Sequence, residues 1–320
     1  MHYTRRDVGR IVLAALPASL LAKPNSKFGD VQIGINAPYS FHGMPGGADD
    51  IQKYLTELGL SAVELRSQPV EAYFGAPIST TLGRPPGPRT PQTPEQQEAQ
   101  RAAQRASADA LEKWRLAAPM DKFKEFRKKY EDAGIAIEIV KFDGVDKMKD
   151  EVVDYAFGLA KALGARAISC EIPMSRTAWL GEFATKHKMM VGYHGHAAIH
   201  NPEAFATPES WEKAMTYSKY NGINLDIGHF IAGNNTSPIP FLKKHADRIT
   251  HVHLKDRKLN EGPNVPWGEG DTPIKEVLQL MQKEKYPFQG TIEFDYKVPE
   301  GSDTLHEIAK CVEFCRAALS

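Results

Sequence analysis

Five short apolar runs in the second half of the chain each end in groups that can move protons or bind a cation. They are Ile168-Ser169-Cys170-Glu171, Tyr193-His194-Gly195-His196, Asn224-Leu225-Asp226-Ile227-Gly228-His229, His251-Val252-His253-Leu254-Lys255-Asp256 and Glu293-Phe294-Asp295. A lone histidine in a strand is more often a hydrogen-bonded core residue than a ligand, and a lone carboxylate often caps a helix. Five successive runs ending this way call for another explanation. Carboxylates and imidazoles carried on apolar strands need partners, and a divalent cation supplies one. Mixed oxygen and nitrogen donors suit one Mn²⁺, Mg²⁺, Co²⁺, Fe²⁺ or Zn²⁺ ion. Strand alternation puts His251 with His253, Glu293 with Asp295, and His194 with His196 on shared faces.

The elements that must position these groups follow a regular order. Strand candidates are Val31–Asn36, Ala62–Arg66, Ile135–Phe142, Ala165–Glu171, Met189–His194, Ile223–His229, Ile249–Lys255 and Gly290–Tyr296. Helix-patterned sequence follows most of them, at Ala48–Gly59, Pro202–Tyr220, Pro273–Lys285 and from Ser302 onward. Eight such repeats predict an α/β fold, a (β/α)8 TIM barrel, in which the C-terminal ends of the strands converge on one mouth. No G-x-G-x-x-G follows the first strand, which removes the main support for a dinucleotide fold. The barrel is expected over residues 31–320, interrupted by a polar insertion at 83–116. The insertion opens with a Pro/Gly-rich stretch, read as an exposed loop or a disordered excursion, and continues as a polar helix of the second βα unit.

The order N-L-D-I-G-H, H-V-H-L-K-D, W-G-E-G-D, G-T-I-E-F resembles the xylose isomerase-like TIM barrel family of sugar phosphate isomerases and epimerases. That resemblance implies metal ligation by Asp226, His253 and Glu293, with His229 beside the substrate or metal. Family epimerases carry a glutamate on the fifth strand, where this chain has His194. Glu171, one strand earlier, is preferred as the fourth ligand, with His194 as competitor. Glu293 is the expected general base, and Glu171 or His194 returns the proton. His196, His229, Lys255 and Arg257 are expected to bind the substrate and its oxyanions. The activity expected first is metal-dependent isomerisation or epimerisation of a free sugar, polyol or keto-sugar through an enediolate. The alternatives are elimination by a lyase or dehydratase and, in another class, a sugar-binding barrel without catalysis.

Composition narrows the partners. Forty basic and forty acidic residues leave the chain formally neutral, which argues against a nucleic-acid surface. Cys170, Cys311 and Cys315 have no zinc-finger or CxxC spacing, and Cys311 with Cys315 reads as a buried pair on the last helix. Thr4-Arg5-Arg6-Asp7-Val8 before an apolar stretch resembles a twin-arginine export signal over residues 1–23, against an ordinary amphipathic helix. The expected location is exported or periplasmic. The stretch is short for a membrane span, so no membrane partner is expected after export. A homo-oligomer stays open.

Overall fold

The computed structural model describes residues 23–78 and 93–320, so most of the twin-arginine segment and residues 83–92 lie outside the described residues. A two-residue strand β1 (Lys27–Phe28) pairs antiparallel with β2 (Val31–Ala37). Then come β3 (Ala62–Arg66), β4 (Ala136–Asp143), β5 (Ala167–Glu171), β6 (Met190–His194), β7 (Asn221–Asp226), β8 (Ile249–Leu254) and β9 (Gly290–Ile292). Strands β2 to β9 are parallel neighbours in chain order, and β2 also pairs with β9. The sheet is therefore a closed eight-stranded barrel. The expected (β/α)8 class holds.

Eleven α-helices among the described residues connect the strands: α1 (Ala48–Glu57), α2 (Ser67–Tyr73), α3 (Pro94–Leu116), α4 (Met120–Asp132), α5 (Asp150–Ala162), α6 (Thr177–His187), α7 (Pro208–Tyr217), α8 (Ile227–Asn234), α9 (Ile239–Lys244), α10 (Ile274–Glu284) and α11 (Thr304–Ala318). Their ends show why they form. In α1, Asp49 and Asp50 occupy the first turn, Ile51, Tyr54 and Leu55 are buried, and Gly59 leaves at φ +69°. The Asp303 side chain accepts the His306 N–H to start α11, whose buried face includes Ile308, Cys311, Val312 and Cys315. Cys311 and Cys315 are free thiols. Helix α7 starts six residues later than the expected Pro202. Pro208 takes its first turn, and the preceding segment instead buries Phe205 against Tyr193, ring centroids 4.9 Å apart. None of the described helices is long and apolar enough to cross a membrane.

The polar insertion does contain a helix. Thr93 and Gln96 form a reciprocal capping box at the start of α3, and none of its residues is buried. Its last turn holds it to the barrel. Arg115 donates to both oxygens of buried Glu71 on α2, at 2.7 and 3.1 Å, and Glu71 also accepts from Tyr155 and Ser67. Glu71→Ala would leave Arg115 and two buried hydroxyls without their acceptor. The expected cost is about 3–5 kcal/mol, read by urea unfolding. A cost under about 1 kcal/mol would show that apolar contacts such as Trp114 against Phe123 hold this helix instead.

Candidate functional site

The barrel interior is polar towards its mouth. Asn36, Glu64, Lys141, Ser169, Asn224, His251, His253 and Thr291 are all buried on strands whose other residues are largely apolar. These side chains meet across the lumen. Glu64 on β3 reaches His253 on β8, with Oε2 and Nε2 2.5 Å apart. Asn36 on β2 donates to Glu293 Oε2 at 2.9 Å.

Asp226 is the last residue of β7 and the N-cap of α8. Its Oδ1 accepts the His229 N–H at 2.7 Å, which leaves Oδ2 facing the barrel axis. This differs from the expected strand to His229: the chain turns into helix at Ile227 because the Asp226 carboxylate satisfies the first free N–H. His229 still lines the site, from the first turn of a helix. Gly228 makes the turn fit, since a Cβ there would lie 2.4 Å from Lys255 Cγ and 2.8 Å from Lys255 O.

Lys255 follows β8 into the same space, almost wholly buried. Its ammonium lies 2.7 Å from Glu293 Oε1, 3.4 Å from Asp226 Oδ2 and 3.3 Å from Asp295 Oδ2. Burial pushes its pKa down, but these three carboxylates outweigh that and hold it above the ordinary lysine value. Glu293 goes the other way. Burial favours its neutral form, yet Lys255 and His253 keep the carboxyl well below the usual range. Burial, with Lys141 next, holds His194 well below the ordinary histidine value and thus neutral. His229 falls to about 3 for the same first reason, and Lys255 and His196 add to it against Asp226. His253 is raised to about 9: burial opposes its charge, but Glu64 and Glu293 overcome that.

The donors fit a cation. His194, Asp226, His229 and Glu293 each offer an atom, all within 4.8 Å of one another. His253 Nδ1 lies 2.6 Å from Glu293 Oε2 and 4.0 Å from Asp226 Oδ2. Two buried atoms facing this space, His194 Nδ1 and Asp226 Oδ2, have no hydrogen-bond partner. Buried polar groups are ordinarily paired, and unpaired atoms converging from neighbouring strands are what a divalent ion would satisfy. Charge agrees with geometry. Glu64, Asp226, Glu293 and Asp295 surround His253 and Lys255, four carboxylates against one ammonium and one imidazolium.

Glu171 does not join this set, contrary to the preference for it as fourth ligand. Its Oε1 takes the buried Lys141 ammonium at 2.6 Å and its Oε2 faces His196 Nε2 at 3.1 Å. With a side chain 40% exposed, it stands at the rim, drawn by a lysine on the adjacent strand. His194 takes the place beside Asp226 and Glu293. Arg257 is also not free to meet an oxyanion as expected. Its guanidinium donates to Gly262 O at 2.6 Å and lies 2.6 Å from His229 Nδ1, bracing its own loop. Lys255 is inside the carboxylate cluster rather than facing open space. His196 is open to solvent at the mouth, its ring 4.8 Å from that of His194 and 5.0 Å from that of His229.

Asp256 does not pair with Lys255. It accepts the N–H groups of Gly268, Gly270 and Thr272, tying down the W-G-E-G-D loop. A Cβ on Gly270 would sit 1.9 Å from Asp256 Oδ1, so only glycine allows that approach. The same loop region places Asn264 on Asp295 Oδ2 at 2.9 Å.

Sequence reasoning overlooked Asn36, Glu64 and Lys141. Each is a polar residue in an otherwise apolar run on β2, β3 or β4, the signal that singled out the later strands.

Residues 169–317 match the family model for the xylose isomerase-like TIM barrel. The resemblance drawn from the motifs holds over that stretch, which contains all of them, and the described residues form the closed eight-stranded barrel it implied. The chain is 38% identical over 80 residues to an inosose dehydratase of Clostridium botulinum, a match covering 24% of this chain and 25% of that protein. Among solved structures it superposes on the 3-keto-D-glucoside 4-epimerase YcjR of E. coli with TM-score 0.59 and 10% identity, covering 90% of this chain and 99% of the other. It also superposes on the IOLI protein with a bound zinc atom, with TM-score 0.56 and 14% identity, covering 90% and 99%. These structural likenesses establish the fold.

Proposed function

We propose that this protein is a divalent-metal-dependent lyase that eliminates water, or another β-substituent, from a hydroxy-ketone such as a keto-cyclitol or keto-sugar. The observation that carries this reading is the asymmetry of the site. One ionised carboxylate, Glu293, is set with an ammonium on one side, while the fifth barrel strand offers imidazoles instead of a second carboxylate. Epimerisation through two like bases, the activity expected first from sequence, has no matching pair here. Abstraction by one base and protonation of a leaving group by a different acid suits the groups present. The local similarity to inosose dehydratases supports the same reading.

His194, Asp226, His253 and Glu293 would hold the ion, with His229 beside it, its Nδ1 accepting from Arg257. When bound, a divalent ion supplies Lewis-acid polarisation of the substrate carbonyl. The two imidazoles and two carboxylates of that set favour Mn²⁺, Fe²⁺, Co²⁺ or Zn²⁺ over Mg²⁺. The chain's own groups do the proton work. Glu293 removes the proton α to the carbonyl, and Asn36 and Lys255 hold its two oxygens in place for that transfer. The Lys255 charge, held between Glu293, Asp226 and Asp295, keeps the Glu293 carboxylate ionised for that transfer. His196, oriented by Glu171, gives a proton to the departing β-hydroxyl as the C–O bond breaks, so one water leaves and a C=C bond forms next to the carbonyl.

The test is incubation of metal-loaded protein with an inosose and with keto-sugars in deuterated water, followed by NMR. The expected product has lost one water and shows a new vinylic or enol-derived signal. Deuterium-labelled epimers with no dehydrated product would overturn elimination in favour of epimerisation.

A further inference from the structure

Behind the site lie two fully buried groups that the mechanism does not use, Glu64 on β3 and His251 on β8, clustered with His253. The Glu64 carboxylate stands between the two imidazoles, Oε2 2.5 Å from His253 Nε2 and Oε1 3.3 Å from His251 Nε2. An ionised carboxylate only accepts, so the His253 nitrogen facing it must carry the hydrogen. Asn224 Nδ2 also lies 3.2 Å from that nitrogen, but Nε2 cannot both donate and accept. The shorter, charged contact decides for donation to Glu64. Once Nε2 is the donor, a His253 that has given up its second proton has its lone pair on Nδ1, the atom 2.6 Å from Glu293 Oε2.

We propose that Glu64 is a positioning residue: it fixes the His253 tautomer and ring orientation so that Nδ1, and not Nε2, is presented to the cation. This rests on the metal reading above. A ligating histidine is commonly oriented through its other ring nitrogen by a carboxylate, and losing that partner weakens metal affinity about 10–100-fold. The pairing also explains a buried glutamate on β3, far along the chain from every expected ligand. It offsets the burial of two imidazoles, and they satisfy it. On β8, Thr250 Oγ1 lies 2.9 Å from His251 Nδ1, so the polar chain runs from Thr250 through His251 and Glu64 to His253.

The experiment uses the full chain, Zn²⁺ and its variants Glu64→Gln and Glu64→Met. Zn²⁺ affinity is measured by chelator competition, and the ring nitrogens of His253 are assigned by ¹⁵N NMR of the Zn²⁺-loaded wild type. The proposal expects Zn²⁺ on Nδ1, a protonated Nε2 coupled to Glu64, and affinities lower by about 10–100-fold in Glu64→Gln, with at least that loss in Glu64→Met. Because the NMR readout uses the wild type, it stands even if a variant fails to fold. Zn²⁺ on Nε2, or wild-type affinity in folded variants, overturns the role of Glu64 while leaving the metal site intact. A wild type that binds no Zn²⁺, Mn²⁺ or Co²⁺ overturns the metal reading and this inference with it.

Discussion

Asp226→Ala is expected to abolish tight divalent-cation binding, and His253→Ala to do nearly the same. Asp226 has two jobs in this structure, and a good test separates them. Oδ1 caps α8 through the His229 N–H, and Oδ2 faces the site without a hydrogen bond. Loss of the cap alone costs about 1 kcal/mol of stability. Asp226→Asn keeps an acceptor for the cap but removes the charge, so it should lose the metal while unfolding at nearly the wild-type denaturant concentration. Metal content is read by elemental analysis after loading with Zn²⁺ or Mn²⁺ and desalting. Undiminished metal in Asp226→Ala and His253→Ala together would remove the central claim.

The same site predicts a pH dependence with a definite sign. His253 is raised to about 9, so below that pH the imidazole carries a second proton that the cation must displace. Apparent affinity should therefore rise with pH, by up to about tenfold per unit, and level off above pH 9. Glu293 adds nothing to this slope near neutrality, because its carboxyl is held ionised far below that range. An affinity that is flat between pH 6 and 8 would show that His253 does not carry the competing proton.

The second large effect is expected at Glu293. Glu293→Gln keeps the shape and an acceptor for Asn36 and Lys255, but removes the base. Turnover should fall by about 10²–10⁴-fold, the usual contribution of one general base. The loss should appear in kcat more than in KM, since substrate contacts made elsewhere are unchanged. Part of the loss could arise from weaker metal binding, so kcat is measured at saturating metal and the bound metal is counted in the same sample. Full turnover with metal retained would take the proton-transfer role away from Glu293. The neighbouring ammonium sharpens the expectation. Lys255 faces three carboxylates, and neutralising one of them still leaves Asp226 and Asp295 to hold it charged.

Much of this protein is legible without coordinates. The eight apolar runs, with helix signals between them, define a parallel barrel, because strands buried on both faces have few other solutions. Barrel topology then gathers strand ends at one mouth, so Asp226, His253 and Glu293 had to be neighbours whatever their separation in sequence. The insertion helix is legible in the polar run behind its Pro/Gly-rich opening, while the Thr93 cap that starts it emerges only in the structure.

What sequence could not decide depends on height and direction within the barrel. Glu171 and His194 both end strands, and only the fold shows that Lys141 holds Glu171 at the rim while His194 faces Asp226. Arg257 and Lys255 are two residues apart, yet one braces a loop and the other lies buried among carboxylates. Glu64 pairs with a histidine 189 positions away, a contact no local pattern encodes. The chemistry available to the site was thus set by residue types at strand ends. Which of them face one another across the lumen, which sit at the rim and which only brace a loop was decided by closure of the barrel, because partners there depend on register and depth rather than on neighbours along the chain.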